Sequence, residues 1–317
     1  MLSPNRRTFL ALGVLTAALT ASGCSGDSGG PGGKGKSDPD LPLRVRAVAA
    51  TDALLAGYDA VQAGGAQAEL LKTQREEVVA HRTALAAGLP TASPSVSVSA
   101  SATSAVSSVA ALAALERTTA EARLADLDAA SPTLAKLLAA VAASDALHAA
   151  ALGDNGAVNA PKSGTASPSA SASASKTPGA SGAGAALQSA LAAEHAAVYG
   201  YGVIGGHLPA GAQREDGHAS YAAHQARRDA WQRMLADSGA TPTAAAAGYR
   251  LPTAVTSPAT AADLAVHIEA QLTAVYADLV GAATGPLRQT AAEALRDSAF
   301  RARHWGGALP ALPGIVT

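Results

Sequence analysis

The chain has 317 residues and a formal net charge of -1. It has no block of basic residues, which argues against nucleic acid as a partner. Charged side chains make up 15% of positions and aromatic ones 3%. With alanine abundant throughout, this composition predicts an all-α protein whose cores are built from small side chains of high helix propensity.

Taken in order, residues 1–23 read as an export signal. Asn5-Arg6-Arg7-Thr8-Phe9-Leu10 resembles a twin-arginine motif, and Leu10 to Thr20 is weakly hydrophobic and short for a membrane span. Ala21-Ser22-Gly23-Cys24 resembles the cleavage box of bacterial lipoproteins, with alanine where that box usually has leucine. Cys24 is the only cysteine in the chain and the expected lipidation site. Once it is lipidated, no thiol is left for a disulfide, a nucleophile or a metal. The implied location is the cell membrane, lipid-anchored on its extracytoplasmic face.

Residues 24–43 are rich in Gly, Ser, Asp, Lys and Pro, a composition that cannot bury a core and reads as a tether. Helical periodicity then covers 44–63 and 67–87, separated by Gly64-Gly65, and resumes at 109–130 and 133–152 around Ser131-Pro132. A Ser/Ala/Val run occupies 93–108. Residues 44–152 are thus expected to form a degenerate four-helix bundle. Low-complexity sequence at 153–184 reads as a linker. Four more helices are expected at 185–208, 215–238, 258–283 and 286–308.

The halves resemble each other. ATDALLAGY at 50–58 aligns with AEHAAVYGY at 193–201, Ala125-Asp126-Leu127 with Ala277-Asp278-Leu279, Glu116 with Glu269, and Pro132 with Pro286. A duplicated four-helix bundle is the inferred architecture.

Leu187, Leu191, Glu194, Val198 and Tyr201 recur at three- and four-residue steps, which places a carboxylate in an apolar stripe. Tyr221, His224, Arg228, Trp231 and Leu235 do the same with an imidazole. Glutamate on one helix and histidine on the next resemble the ferritin-like bundle, whose dinuclear site takes one Glu from each of two helices and a Glu-x-x-His pair from each of the others. Glu194, His224, Glu269 and Asp297 are the candidate ligands in the second half. Tyr221 and Phe300 stand where a Glu and a His belong, so the set is degenerate.

The competing reading makes Glu194 and Glu269 buried acids paired with Arg227, Arg228, Arg301 or His224. In the first half, Thr51 and Asp52 take the positions of Glu194 and His195, and Lys72 or Thr73 falls near that of His224. Asp145-x-x-His148 has ligand-like spacing but reads as an isolated surface pair. His195, His218, His267 and His304 read as surface or interhelical histidines. There is no nucleophile elbow or phosphate loop.

Residues 185–315 also resemble a ferritin-like domain of uncharacterised function found in exported lipoproteins of actinobacteria. The resemblance rests on Ala193 to Tyr201, His224-Gln225-Ala226-Arg227-Arg228-Asp229, Gly239-Ala240-Thr241-Pro242, Tyr249-Arg250-Leu251-Pro252, Glu269, Tyr276 and Arg303-His304-Trp305. It implies a fold and an envelope location but no activity.

The expected role is therefore non-catalytic binding or scaffolding by a membrane-anchored lipoprotein, with no cofactor. The alternative is a metal-dependent oxidase or metal-storage module holding iron, manganese or zinc on Glu194, His224, Glu269 and Asp297. A third reading presents Tyr199, Tyr201 and Tyr249, with the arginine pair, to an anionic small molecule.

Overall fold

The computed structural model describes residues 38–87, 89, 106–158 and 180–315. The expected signal segment 1–23, Cys24, the tether up to residue 37, most of the Ser/Ala/Val run and residues 159–179 of the expected linker lie outside them.

Eight α-helices and no strand occur among the described residues: α1 (Leu41–Ala60), α2 (Gly65–Ala86), α3 (Val109–Ala125), α4 (Pro132–Ala151), α5 (Ala180–His207), α6 (Ala212–Asp237), α7 (Pro258–Ala282) and α8 (Gly285–His304). Local chemistry sets their ends. Ser108, Ser131 and Ser257 cap α3, α4 and α7 by accepting from the backbone N–H three residues on, and Pro132 and Pro258 occupy first-turn positions where no N–H is needed. Helix α6 stops at Gly239, whose φ of 79° only glycine adopts without strain. There the N–H groups of Gly239 and Ala240 return to the carbonyls of Ala236 and Leu235.

Helices α1 to α4 pack among themselves, as do α5 to α8, and α4 lies against both α7 and α8. The halves share one core rather than meeting at a polar boundary. Leu134, Leu138 and Ala142 of α4 belong to the same buried cluster as Leu279, Ala291 and Leu295 of α7 and α8. This position explains the composition of α4. An unbroken run from Leu138 to Ala146 is buried, as a helix covered on all sides requires. Helix α4 is also long and apolar enough to cross a membrane, but most of it is buried inside the protein.

Polar bonds reinforce this junction. The buried guanidinium of Arg288 donates to Leu127 O at 2.6 Å, Ala130 O at 2.9 Å and Ala283 O at 2.7 Å, binding the carbonyls of the 3₁₀ turn that follows α3 to the end of α7. Burial lowers the pKa of this arginine. Gln289 donates to Leu124 O at 3.2 Å, and Lys136 pairs with Asp278 at 2.6 Å.

Candidate functional site

Each half encloses a polar cluster in its helical core. In the second half, helical phase brings Glu194 of α5, His224 of α6 and Glu269 of α7 together, each no more than 2% exposed. The imidazole bridges the two acids, with Nδ1 2.8 Å from Glu194 Oε2 and Nε2 2.9 Å from Glu269 Oε1. Tyr201 OH donates to Glu269 Oε1 at 2.7 Å, and Tyr276 OH donates to Glu194 Oε1. The Tyr201 ring stacks on His224 with centroids 4.9 Å apart.

Carboxylates can only accept, so both nitrogens of this imidazole serve as donors and the ring carries a positive charge. Burial opposes that charge. The hydrogen bonds and fields of Glu194 and Glu269 outweigh it and push the His224 pKa up to about 9. Tyr201 and Tyr276 are raised as well, by burial first and by the neighbouring carboxylates second, which keeps both hydroxyls protonated and donating.

Of the cationic partners proposed for Glu194 and Glu269, only His224 reaches them. Arg227 pairs with Asp297 at 2.8 Å and lies 6.0 Å from the ring centres of Trp231 and Tyr276, while Arg228 pairs with its neighbour Asp229 at 2.7 Å. Arg301 makes no ion pair with either glutamate among the described residues; its positive field is felt at Tyr201. Asp297 is half-buried beside Arg227 and Arg296 and does not join Glu194, His224 and Glu269. The third reading also comes apart. Tyr201 is 1% exposed, whereas Tyr199 is 40% exposed and packs on Tyr249 at the surface. Of the remaining histidines, His195 contacts Thr243 O at 3.1 Å, His304 pairs with Asp216 at 3.0 Å, and His218 and His267 are exposed.

The first half holds the richer cluster. Asp145 and His148 form no surface pair; they are 0% and 3% exposed, because α4 is covered on every side. Three- and four-residue steps on α2 put Gln74 and His81 in one buried row with Leu71, Val78 and Leu85. The same stepping on α3 buries Glu116 and Arg123 with Leu112 and Ala120. Gln74, rather than Lys72 or Thr73, lies against Tyr58 as His224 lies against Tyr201, with Tyr58 OH 3.4 Å from Gln74 Oε1. The stepping rule that singled out Glu194 also marks Gln74, His81, Glu116 and Arg123. Reading the first half by alignment to the second, rather than on its own periodicity, found Glu116 opposite Glu269 but missed Gln74, His81 and Arg123.

Tyr58 OH donates to Glu116 Oε1 at 2.6 Å. His148 again spans two acids, with Nδ1 3.1 Å from Glu116 Oε1 and Nε2 2.7 Å from Glu77 Oε2. Burial lowers its pKa, but Glu116 and Glu77 prevail and push it up to about 10. The same burial raises the Glu116 carboxyl against the pull of His148. Arg123 donates to Asp145 Oδ2 at 2.7 Å and to Thr51 Oγ1 at 3.0 Å. Burial would raise the Asp145 carboxyl; the Arg123 charge holds it below the usual range. Glu116, Asp145 and His148 each offer a donor atom within 4.8 Å of the other two, the arrangement among the described residues that suits a metal ion.

Residues 186–317 match a family described as "Domain of unknown function (DUF4439)". A solved structure described as a conserved hypothetical protein, rv2844, from Mycobacterium tuberculosis is 40% identical over 40% of this chain and 90% of its own, with a TM-score of 0.39. No curated protein matches the chain.

Proposed function

We propose that the chain is an exported lipoprotein, anchored through Cys24 to the extracytoplasmic face of the cell membrane. Its body is a duplicated ferritin-like four-helix bundle, and its second half has a binding or scaffolding role rather than a catalytic one. The anchor rests on the sequence of residues 1–24.

Duplication is supported by matching bonds at matching intervals. Thr51 and Tyr58 are separated along α1 as Glu194 and Tyr201 are along α5. Glu116 and Arg123 of α3 are spaced like Glu269 and Tyr276 of α7. In both halves the tyrosine donates to the glutamate, and the second partner on α3 or α7 donates back to Thr51 or Glu194.

The observation that carries the non-catalytic reading is His224. A ferritin-like metal site needs neutral imidazoles with a bare nitrogen and carboxylates directed at the ions. In this half both nitrogens of His224 are taken by the two glutamates that would be ligands, so the proton it carries offsets one of their two negative charges.

Elemental analysis of wild-type protein and of His224→Gln, each purified without chelator or metal affinity tag, tests this reading. Metal content is expected to be the same in both. A loss confined to His224→Gln would instead support an oxidase or storage module on Glu194, His224, Glu269 and Asp297. For the anchor, Cys24→Ser should leave the membrane fraction, and retention there would sink the lipoprotein assignment.

A further inference from the structure

The first half contains three buried polar atoms without a hydrogen bond: Glu116 Oε2, and His81 Nδ1 and Asp145 Oδ1, which face each other across a long 3.5 Å contact. An orphaned polar atom costs about 1–3 kcal/mol, so three in one cluster call for an explanation. In each of these residues the opposite atom is tied down. His81 Nε2 donates to Ala311 O at 2.7 Å, Glu116 Oε1 accepts from Tyr58 at 2.6 Å, and Asp145 Oδ2 accepts from Arg123 at 2.7 Å.

This is the outer arrangement that orients metal ligands. A carbonyl on one imidazole nitrogen fixes the tautomer and leaves the other lone pair for an ion, while a donor on one carboxylate oxygen aims the second. His81 Nδ1 faces Asp145 Oδ1 at 3.5 Å, and the His81 and His148 rings lie nearly parallel with centroids 5.9 Å apart. Charge points the same way. Glu77, Glu116 and Asp145 bring three carboxylates to the cluster against Arg123 and the protonated His148, so acids outnumber the cations paired with them.

We infer that the first half binds one divalent transition-metal ion between α2, α3 and α4, held by His81, Glu116, Asp145 and His148. A donor set of imidazole and carboxylate without sulfur suits zinc, iron(II) or manganese(II). To ligate, His148 gives up one carboxylate contact and releases the proton of that nitrogen to solvent; unlike the two fully buried partners of His224, Glu77 is 32% exposed and can turn to water when displaced. This goes beyond the proposed function: it concerns the other half and stands whether or not Cys24 is lipidated.

The test is zinc titration calorimetry on the full chain carrying Cys24→Ser, which removes the competing thiol, after dialysis against chelator. Cobalt(II) absorption then reports nitrogen ligation. One equivalent should bind. His81→Gln and Glu116→Gln should each weaken binding by more than the roughly 10–100-fold that loss of an outer partner costs. His224→Gln should bind as wild type does. Circular dichroism checks that each variant is folded, and the wild-type titration and cobalt spectrum decide the question even if a variant is not.

No uptake by the folded wild-type chain, or uptake that both first-half substitutions leave unchanged, would overturn the site. Uptake lost only on His224→Gln would overturn both this site and the non-catalytic reading of the second half. Absence of uptake would overturn this inference alone.

Discussion

His81 and Ala311 meet across 230 positions of sequence, the imidazole Nε2 donating to the carbonyl oxygen at 2.7 Å. The bond brings the segment after α8 back onto the polar cluster of the first half, so the C-terminal residues help set the tautomer of a side chain on α2.

Truncation before Ala311 tests that link. Removing the carbonyl leaves a fully buried donor without a partner, which should cost about 1–3 kcal/mol. A lower urea midpoint with an unchanged slope is the expected result. An unchanged midpoint would mean that His81 finds another acceptor.

The charge on His224 makes stability depend on pH. Its pKa rises from the ordinary 6.5 to about 9 in the folded chain. A raised pKa stabilises fully below the unfolded value, and that contribution is lost as pH climbs through the folded one. Between about pH 6 and about pH 10 wild type should lose on the order of 3 kcal/mol more than His224→Gln, compared by denaturant titration. Parallel pH profiles for the two proteins would show that the imidazole is uncharged.

Glu194→Gln removes one arm of the same clasp. The acid is 1% exposed and neutralised by His224, so the substitution should destabilise the chain by about 3 kcal/mol. Combined with His224→Gln, the two losses should fall well short of additive, because the first substitution has already broken the pair. Additive losses would mean that the two side chains act independently.

Arg123→Met probes the first half. It strips Asp145 of a guanidinium 2.7 Å away, in a pair of which neither side chain is more than 2% exposed, at a cost of about 3–5 kcal/mol. Thermal melting with and without zinc separates two roles. If Asp145 also faces an ion, zinc should recover part of the loss in Arg123→Met. No recovery would leave Asp145 a purely structural anion.

Much of the molecule could be read from local pattern. The eight helices fall close to where Ser-Pro, Gly-Gly and Gly-Pro punctuation put them, because capping and chain stiffness act over three or four residues. Glu194, His224 and Glu269 were recognisable as inward-facing for the same reason. The pairing of Glu194 with an arginine was the reasonable alternative, since Arg227 and Arg228 sit on the same helix as His224. Helix packing turned them toward Asp297 and Asp229 instead.

The sequence by itself determined helix content, helix ends and the face each side chain takes, all of which follow from a period of 3.6 residues and nearby caps. Only the tertiary structure decided what those faces meet. It seats a protonated imidazole between Glu194 and Glu269. It encloses α4 so that Asp145 and His148 become core residues, brings Glu116 of α3 within 4.8 Å of both, and sets His81 of α2 3.5 Å from Asp145. The reason is physical: a helix face is set by residues three and four apart, whereas its partner is chosen by contacts between residues tens to hundreds of positions away.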